Sequence, residues 1–391
     1  MTSGRTAQVG ECTVRCDYFQ RGQCRSCALL PLSYTEQIAR KEGAVQRLLL
    51  LPASAWLPPV TSPQERFRNK AKLAVGGTIA APLLGTATAT GVQDLTLCPL
   101  HESTIESALP ALKAFITTAK LAPYDVASRS GELKFLLITA SADGELMVRF
   151  VLRSREAESR IRKHLTMLLT QLPNLAVVSL NLHPQHAALL EGEEEIVLTE
   201  RSTLAMRVNG LHLHLRPQSF FQTNTAVAAA LYEQATTWIV GSAPHRVWDL
   251  YCGVGGFALH AAQAGVVEVT GIEVSAEAIA SAKRTATDLA LDGVRFISHD
   301  ATAFALAQER PADLVLVNPP RRGIGHDLAG WLEQSNVTDV IYSSCNAVSL
   351  ARDLAAMPSL TPVSAVLLDM FPNTEHYEVL VRLRRTAGSS E

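Results

Sequence analysis

From about Leu211 onward, short apolar runs alternate with longer amphipathic stretches. The pattern predicts helix over Thr225 to Val240, strand over Arg246 to Leu250, helix over Phe257 to Ala264, strand over Val267 to Ile272 and helix over Ala276 to Leu289. Strands over Val294 to Ser298, Asp313 to Val317 and Val340 to Ser343 continue the series. Strands apolar on both faces and separated by helices mean a parallel sheet covered on both sides. The last pair, Ser364 to Leu368 and Tyr377 to Leu383, reads as an antiparallel edge that closes the sheet. The fold class is therefore α/β, with a Rossmann-like domain over residues 206–391.

The chain before it is patterned differently. Between about residues 66 and 205, β-rich runs at Leu133 to Thr139, Glu145 to Leu152 and Leu175 to Leu182 are interleaved with helical stretches at Glu102 to Thr118 and Glu156 to Leu172. That mixture predicts an α+β domain. A helix over Tyr34 to Arg47 precedes it, followed by a segment broken at Pro52, Pro58, Pro59 and Pro63. The central domain is drawn over 34–205, and residues 1–33 form a polar, cysteine-rich head that needs a metal or a neighbouring domain to hold its shape.

Composition narrows the class. With 391 residues and 47% hydrophobic content the chain is long enough for two or three cores, and disorder is excluded as its main state. No apolar stretch has the length of a signal core or a membrane span, so a cytoplasmic location is expected. The net charge of −2 gives no global positive field, so any nucleic-acid contact must come from local patches. Arg66-Phe-Arg-Asn-Lys-Ala-Lys72 is one such patch, interleaving four cations with an aromatic that offers a stacking face. Arg153, Arg155, Arg160, Arg162 and Lys163 form a second basic run, which reads more simply as a solvated helix face.

The chemistry sits at strand ends. Val247-Trp-Asp-Leu-Tyr251-Cys-Gly253-Val-Gly255-Gly-Phe257 is a strand entering a glycine turn and then a helix, where backbone amides can approach a ligand. The next strand ends on Glu273, a carboxylate placed to accept hydrogen bonds from a ribose diol. Dinucleotide dehydrogenases and methyltransferases share these two features. Asn318-Pro319-Pro320, at a later strand end, decides for S-adenosylmethionine over NAD. The next residue, Arg321, stands where amine-methylating enzymes place an aromatic, which turns the reading away from amine methylation. Cys345 ends another apolar strand and precedes the helical stretch Ala347 to Leu354, a position that favours a thiolate. A thiolate beside a methyl donor fits addition to carbon 6 of uracil, which makes carbon 5 nucleophilic. Cys252 reads as packing.

Four cysteines crowd the first 27 residues, and in a reducing compartment such clustering argues for metal ligation. Cys16, Cys24 and Cys27, with Cys98 before Pro99, supply four thiolates that suit zinc or an iron–sulfur cluster, and Cys12 is an extra thiol.

Taken together, these motifs resemble those of the bacterial RNA uracil-5-methyltransferases, and most closely the branch that modifies 23S rRNA. The resemblance implies a class I methyltransferase domain in which Gln222, from Phe220-Phe-Gln-Thr-Asn224, joins Tyr251, Glu273 and Asn318 in holding S-adenosylmethionine. It implies Cys345 as the nucleophile, from Ser343-Ser-Cys-Asn-Ala-Val-Ser-Leu-Ala-Arg352. It implies a glutamate base from Phe371-Pro-Asn-Thr-Glu-His-Tyr-Glu378, where register favours Glu378 over Glu375. That segment departs from the family pattern, which commonly has histidine where Asn373 stands and glycine where Glu375 stands. The resemblance also implies a 4Fe-4S cluster on Cys16, Cys24, Cys27 and Cys98, and 23S rRNA as partner. No obligate protein partner is evident, and a monomer is the default. Two other expectations remain open: a tRNA or other-site rRNA methyltransferase of the same chemistry, and a non-catalytic iron–sulfur protein that binds RNA or senses redox state.

Overall fold

The computed structural model describes residues 14–186 and 190–386; Cys12 lies outside the described residues. Two seven-stranded sheets organise it. The first comprises β1 (Lys70–Gly77), β2 (Pro82–Thr88), β3 (Gly91–Asp94), β4 (Leu133–Ala140), β5 (Leu146–Leu152), β6 (Leu175–Leu182) and β7 (Glu194–Val197), in the order β3-β2-β1-β4-β5-β6-β7. A short helix, α1 (Asp17–Gln20), lies in the cysteine head, and α2 (Tyr34–Leu49) follows it. The helices α3 (Ser103–Thr118) and α4 (Glu158–Gln171) pack together on the first sheet, and α4 is the crossover that makes β5 and β6 its one parallel pair. The second basic run lies along α4 and its approach, and four of its arginines are paired with Glu132, Glu194, Glu156 and Glu158, so it is a solvated salt-bridged face.

A hairpin follows, β8 (Leu204–Val208) and β9 (Leu211–Leu215), which the apolar pattern did not predict. Its turn is Asn209-Gly210 with φ of 48° and 82°, the two left-handed residues that match the twist of a tight hairpin.

The second sheet is the predicted α/β domain. It comprises β10 (Arg246–Leu250), β11 (Glu268–Glu273), β12 (Val294–Ser298), β13 (Leu314–Val317), β14 (Asp339–Ser344), β15 (Leu360–Leu368) and β16 (Glu378–Arg385), in the order β12-β11-β10-β13-β14-β16-β15. Its helices are α5 (Thr225–Ser242), α6 (Gly256–Gln263), α7 (Ala276–Asp288), α8 (Ala301–Leu306), α9 (Gly325–Gln334) and α10 (Ala347–Ala355). Side chains of Asn224, Ser275, Asp300 and Asn346 cap α5, α7, α8 and α10 by accepting from backbone amides of the first turn. The expected antiparallel closure takes a specific form: β16 alone runs against the others, inserted between β14 and the edge strand β15. The strand order reverses between β10 and β13, so the carboxyl ends of β10, β11, β13 and β14 open onto one crevice.

The helix α2 precedes the first sheet in sequence but packs on the second, against α10. The reason is electrostatic as well as apolar. Lys41 and Asp369 are both fully buried, with Nζ donating to Oδ1 at 2.5 Å and to the Phe371 carbonyl at 3.1 Å. The Tyr34 hydroxyl donates to the other Asp369 oxygen at 2.9 Å. The proline-rich stretch after α2 stays with the same sheet, since Leu57 and Val60 donate backbone hydrogen bonds to Ala365 and Leu367 of β15.

A buried charge stripped of its partner is strongly destabilising. Lys41→Met should lower stability by about 3 kcal/mol in chemical denaturation. The double variant Lys41→Met/Asp369→Leu should recover most of that loss; equal destabilisation in both would show that the pair is not what holds α2.

Candidate functional site

The crevice at the switch point begins with the glycine turn after β10. Tyr251 adopts φ 67°, a left-handed conformation that costs an aromatic residue energy and marks a place where the backbone is held against its preference. Gly253 and Gly255 follow at φ 55° and 86°; a Cβ on Gly255 would sit 2.9 Å from the Phe296 ring, whereas beside Gly253 the space is open. Glu273, at the end of β11, accepts from the Gly253 amide at 3.3 Å and from the Ser275 amide at 3.0 Å, so its carboxylate is fixed beside the turn. Asn318 follows β13 directly, and its amide reaches the Leu250 carbonyl at 3.4 Å. Tyr251, Glu273 and Asn318 are thus three strand-end residues on adjacent strands, all half-buried.

Gln222 comes from outside the sheet. It is 7% exposed, in the segment just before α5, where Asn69 holds the backbone: Asn69 Nδ2 donates to the Gln222 carbonyl at 2.9 Å and to Thr225 Oγ1 at 2.8 Å, and its amide donates to the Thr223 carbonyl. Asn69 belongs to the basic Arg66–Lys72 stretch, and the structure corrects one part of the expected role of that stretch, the aromatic stacking face. Phe67 is buried and offers no stacking face, Arg66 is paired with Glu106, and Arg68 and Lys70 line a cavity. Lys72 is exposed.

Asp249 was not assigned a role from sequence. It is fully buried under the glycine turn; Oδ2 accepts from the Ala258 amide at 2.9 Å and thereby anchors the start of α6, while Oδ1 has no partner among the described residues. Burial pushes its carboxyl up to about 8, with the charge of Glu273 adding to the shift. Its position at a strand end before glycines was the available signal.

Cys345 follows β14, and Glu378 opens β16. The pairing register, Ser344 with Val379 and Ser343 with Leu380, brings the two together from positions far apart in sequence. Glu378 is 2% exposed, and Ser343 Oγ donates to its Oε1 at 2.6 Å. Burial pushes the Glu378 carboxyl up to about 7, with the Ser343 hydrogen bond opposing. Ser343 was missed because only the strand pairing reveals its partner. The Cys345 thiol is raised, first by burial and then by the charge of Glu378, while Arg321 opposes. This reverses the expectation that the start of α10 would favour the thiolate: desolvation and a neighbouring carboxylate outweigh the helix end. Glu375, by contrast, is exposed and bonded to Arg40 at 2.7 Å. Asn373 explains its departure from the family's histidine. It is fully buried at φ 65°, exchanges hydrogen bonds with the Gln37 side chain, donates to the Gln64 carbonyl at 3.0 Å, and accepts from the Leu29 amide at 2.9 Å. Cys252 is buried, as expected of a packing residue.

Cys16, Cys24, Cys27 and Cys98 line one cavity of about 220 Å³ together with Arg68, His101 and Thr223. All four are free thiols. Cys27 is pushed up to about 12 by burial and then by the charges of Cys98, Cys24 and Cys16, so the four sulfurs lie within electrostatic reach of one another. Among the described residues, no group of three or more His, Cys, Asp or Glu side chains is arranged to hold a metal ion. Burial and Arg68 lower His101 to about 4, keeping it neutral. No helix among the described residues is long and apolar enough to cross a membrane.

Comparison with known proteins places this crevice in context. A family profile described as tRNA (Uracil-5-)-methyltransferase matches residues 191–386. The 23S rRNA (uracil(747)-C(5))-methyltransferase RlmC of Halothiobacillus neapolitanus is 50% identical over 378 residues, covering 95% of this chain and 100% of its own. RlmC proteins of Glaesserella parasuis and Salmonella newport are 48% and 47% identical, again over 95% of this chain and 98% and 100% of theirs. Among solved structures, the Pyrococcus abyssi tRNA (uracil-54, C5)-methyltransferase in complex with S-adenosyl-L-homocysteine superposes with a TM-score of 0.77, covering 92% of this chain and 85% of that one, at 24% identity. The fold is that of a class I methyltransferase, and the chain belongs to the uracil-5-methyltransferase family, enzymes that transfer the methyl group of S-adenosylmethionine to carbon 5 of uracil.

Proposed function

We infer that the protein methylates carbon 5 of a uridine in 23S rRNA, the reaction for which its full-length relatives are named. The observation that carries the mechanism is the approach of Cys345 to a buried carboxyl, Glu378, across the paired strands β14 and β16. Gln222, Tyr251, Glu273 and Asn318 hold S-adenosylmethionine, with Glu273 receiving the ribose hydroxyls. When bound, it supplies the methyl group as an electrophile. The remaining work falls to the chain. An unstacked uridine must enter the crevice, because carbon 6 is covered within a stacked helix. The Cys345 thiol gives up its proton to water in the crevice, the thiolate Sγ bonds to carbon 6, and the π electrons of the carbon 5–carbon 6 double bond shift to carbon 5, which becomes the nucleophile. After carbon 5 is methylated, Glu378 removes its proton; the electron pair reforms the carbon 5–carbon 6 double bond and expels the Cys345 thiolate. A carboxyl held near 7 suits this task, since it is a stronger base than an exposed glutamate.

The cysteine cavity is read as the seat of a 4Fe-4S cluster held by Cys16, Cys24, Cys27 and Cys98. The four cysteines line one cavity, and a set of four sulfur donors with no oxygen or nitrogen donor among them is the ligand chemistry of such a cluster as well as of zinc. Such a group organises the head, and the methylation scheme requires no electron transfer from it.

Incubation with a 5-fluorouracil-substituted 23S rRNA transcript and S-adenosylmethionine should trap a protein–RNA adduct that survives denaturing electrophoresis, because fluorine cannot leave as a proton does. Cys345→Ala should form none. On ordinary RNA, Glu378→Gln should accumulate the methylated adduct that wild type resolves; an adduct formed by Cys345→Ala, or fully active Glu378→Gln, would refute the assigned roles. Wild-type turnover should fall about tenfold per pH unit below pH 7, since protonation of Glu378 removes the base, and should go on rising more gently above it as the raised Cys345 thiol ionises. A flat profile between pH 5 and 7 in single-turnover assays would show that Glu378 does not act in this way.

A further inference from the structure

Eight buried side-chain polar atoms among the described residues have no hydrogen-bond partner, and three of them border the cysteine cavity: Arg68 Nε, His101 Nδ1 and Thr223 Oγ1. An unsatisfied buried polar atom costs roughly 1–3 kcal/mol, so three around one space point to a partner that belongs there. The four thiols of the same cavity indicate its chemistry, because sulfur-rich groups accept hydrogen bonds readily and are tuned by them.

Two of the three, Arg68 and Thr223, lie on a short hydrogen-bonded path to the S-adenosylmethionine site. The Arg68 amide donates to the Leu100 carbonyl at 2.9 Å, two residues beyond Cys98. Asn69, next in sequence, donates from its amide to the Thr223 carbonyl and from its side chain to the Gln222 carbonyl, each at 2.9 Å. Thr223 is therefore flanked by Gln222 on one side and by Asn224, the cap of α5, on the other. One residue faces the cysteine cavity while its neighbour serves the methyl-donor site.

We propose that Arg68, His101 and Thr223 donate hydrogen bonds to the sulfur-rich group held by the four cysteines, and that Thr223 acts as a positioning residue, coupling occupancy of the cysteine site to the placement of Gln222 and hence to affinity for S-adenosylmethionine. The proposal rests on the cluster reading above. It meets the requirement for coupling, a contact that exists in one state and not in the other, because no protein group among the described residues bonds Thr223 Oγ1 and the sulfur-rich group supplies an acceptor for it.

Iron and acid-labile sulfide in the anaerobically purified protein test the cluster reading by itself. The coupling is then read in two ways on the full chain. In wild type, S-adenosylhomocysteine measured by calorimetry should bind about tenfold more weakly after iron depletion, within the usual range of coupling between sites. Thr223→Val, which keeps the shape and removes the hydroxyl, should retain its iron, shift the reduction potential of the loaded protein to a more negative value, and weaken ligand binding so that depletion makes little further difference. Arg68→Met should shift the potential in the same direction. If iron depletion unfolds the chain, the loaded variants decide alone, because a residue with a merely structural role would leave the potential unmoved. Full iron content with wild-type potential and wild-type binding in Thr223→Val overturns this proposal; a protein without iron overturns it together with the cluster reading.

Discussion

The cross-strand register between β14 and β16 is the constraint on which the site depends. Side chains alternate along a strand, so a slip of one residue would turn Glu378 to the opposite face and leave Cys345 without its neighbour. Burial makes the slip costly. Every residue of β14 is buried, and so are the first four of β16, from Glu378 to Val381. The other end of the connecting segment is fixed by the buried Lys41–Asp369 pair just after β15. Between these anchors Asn373 adopts a backbone conformation that asparagine tolerates better than most side chains, while its amide groups satisfy α2 and the chain near Gln64. Glu378 is thus delivered by a segment clamped at both ends, into a place where burial sets its proton affinity.

The cysteine head is attached to both halves of this framework. The Leu29 amide donates to the Asn373 carbonyl, and the Leu97 amide, next to Cys98, donates to the Tyr18 hydroxyl. The head therefore spans from the segment that carries Glu378 to the loop that carries Cys98, and Arg68 and Asn69 continue the connection to the segment before α5. What composition presents as an appendage is, over residues 14–33, a joint between the sheets.

The parallel strands were legible because burial on both faces leaves little choice but continuous apolar runs, as in Leu314–Val317. The meander β1–β3 was not, because its strands carry glycine and threonine and are only partly buried, as in Gly91–Asp94. The hairpin β8–β9 could have been read from Asn209-Gly210. Within the site, Cys345, Glu273 and Asn318 announce themselves by standing at strand ends, whereas Ser343 and Asn69 act through partners remote in sequence. The misjudged proton affinity of Cys345 has the same origin. A helix start is visible in sequence, but the depth of burial and the charge facing the sulfur exist only in the fold.

That raised thiol, set beside a raised carboxyl, imposes an order on the proposed chemistry. Two neighbouring anions in a poorly solvated space repel, so the state with Cys345 as thiolate favours a protonated Glu378, with Arg321 the cation that assists the sulfur. Once sulfur has bonded to carbon 6 it carries no charge, and the repulsion disappears. Glu378 then gives up its proton more easily and serves as a base at the stage when the carbon 5 proton must leave. The charge of Glu378, which holds the thiol back in the resting protein, no longer acts on the sulfur once the adduct has formed, so the nucleophilic step and the deprotonation step place opposite demands on one carboxyl whose affinity is set by burial.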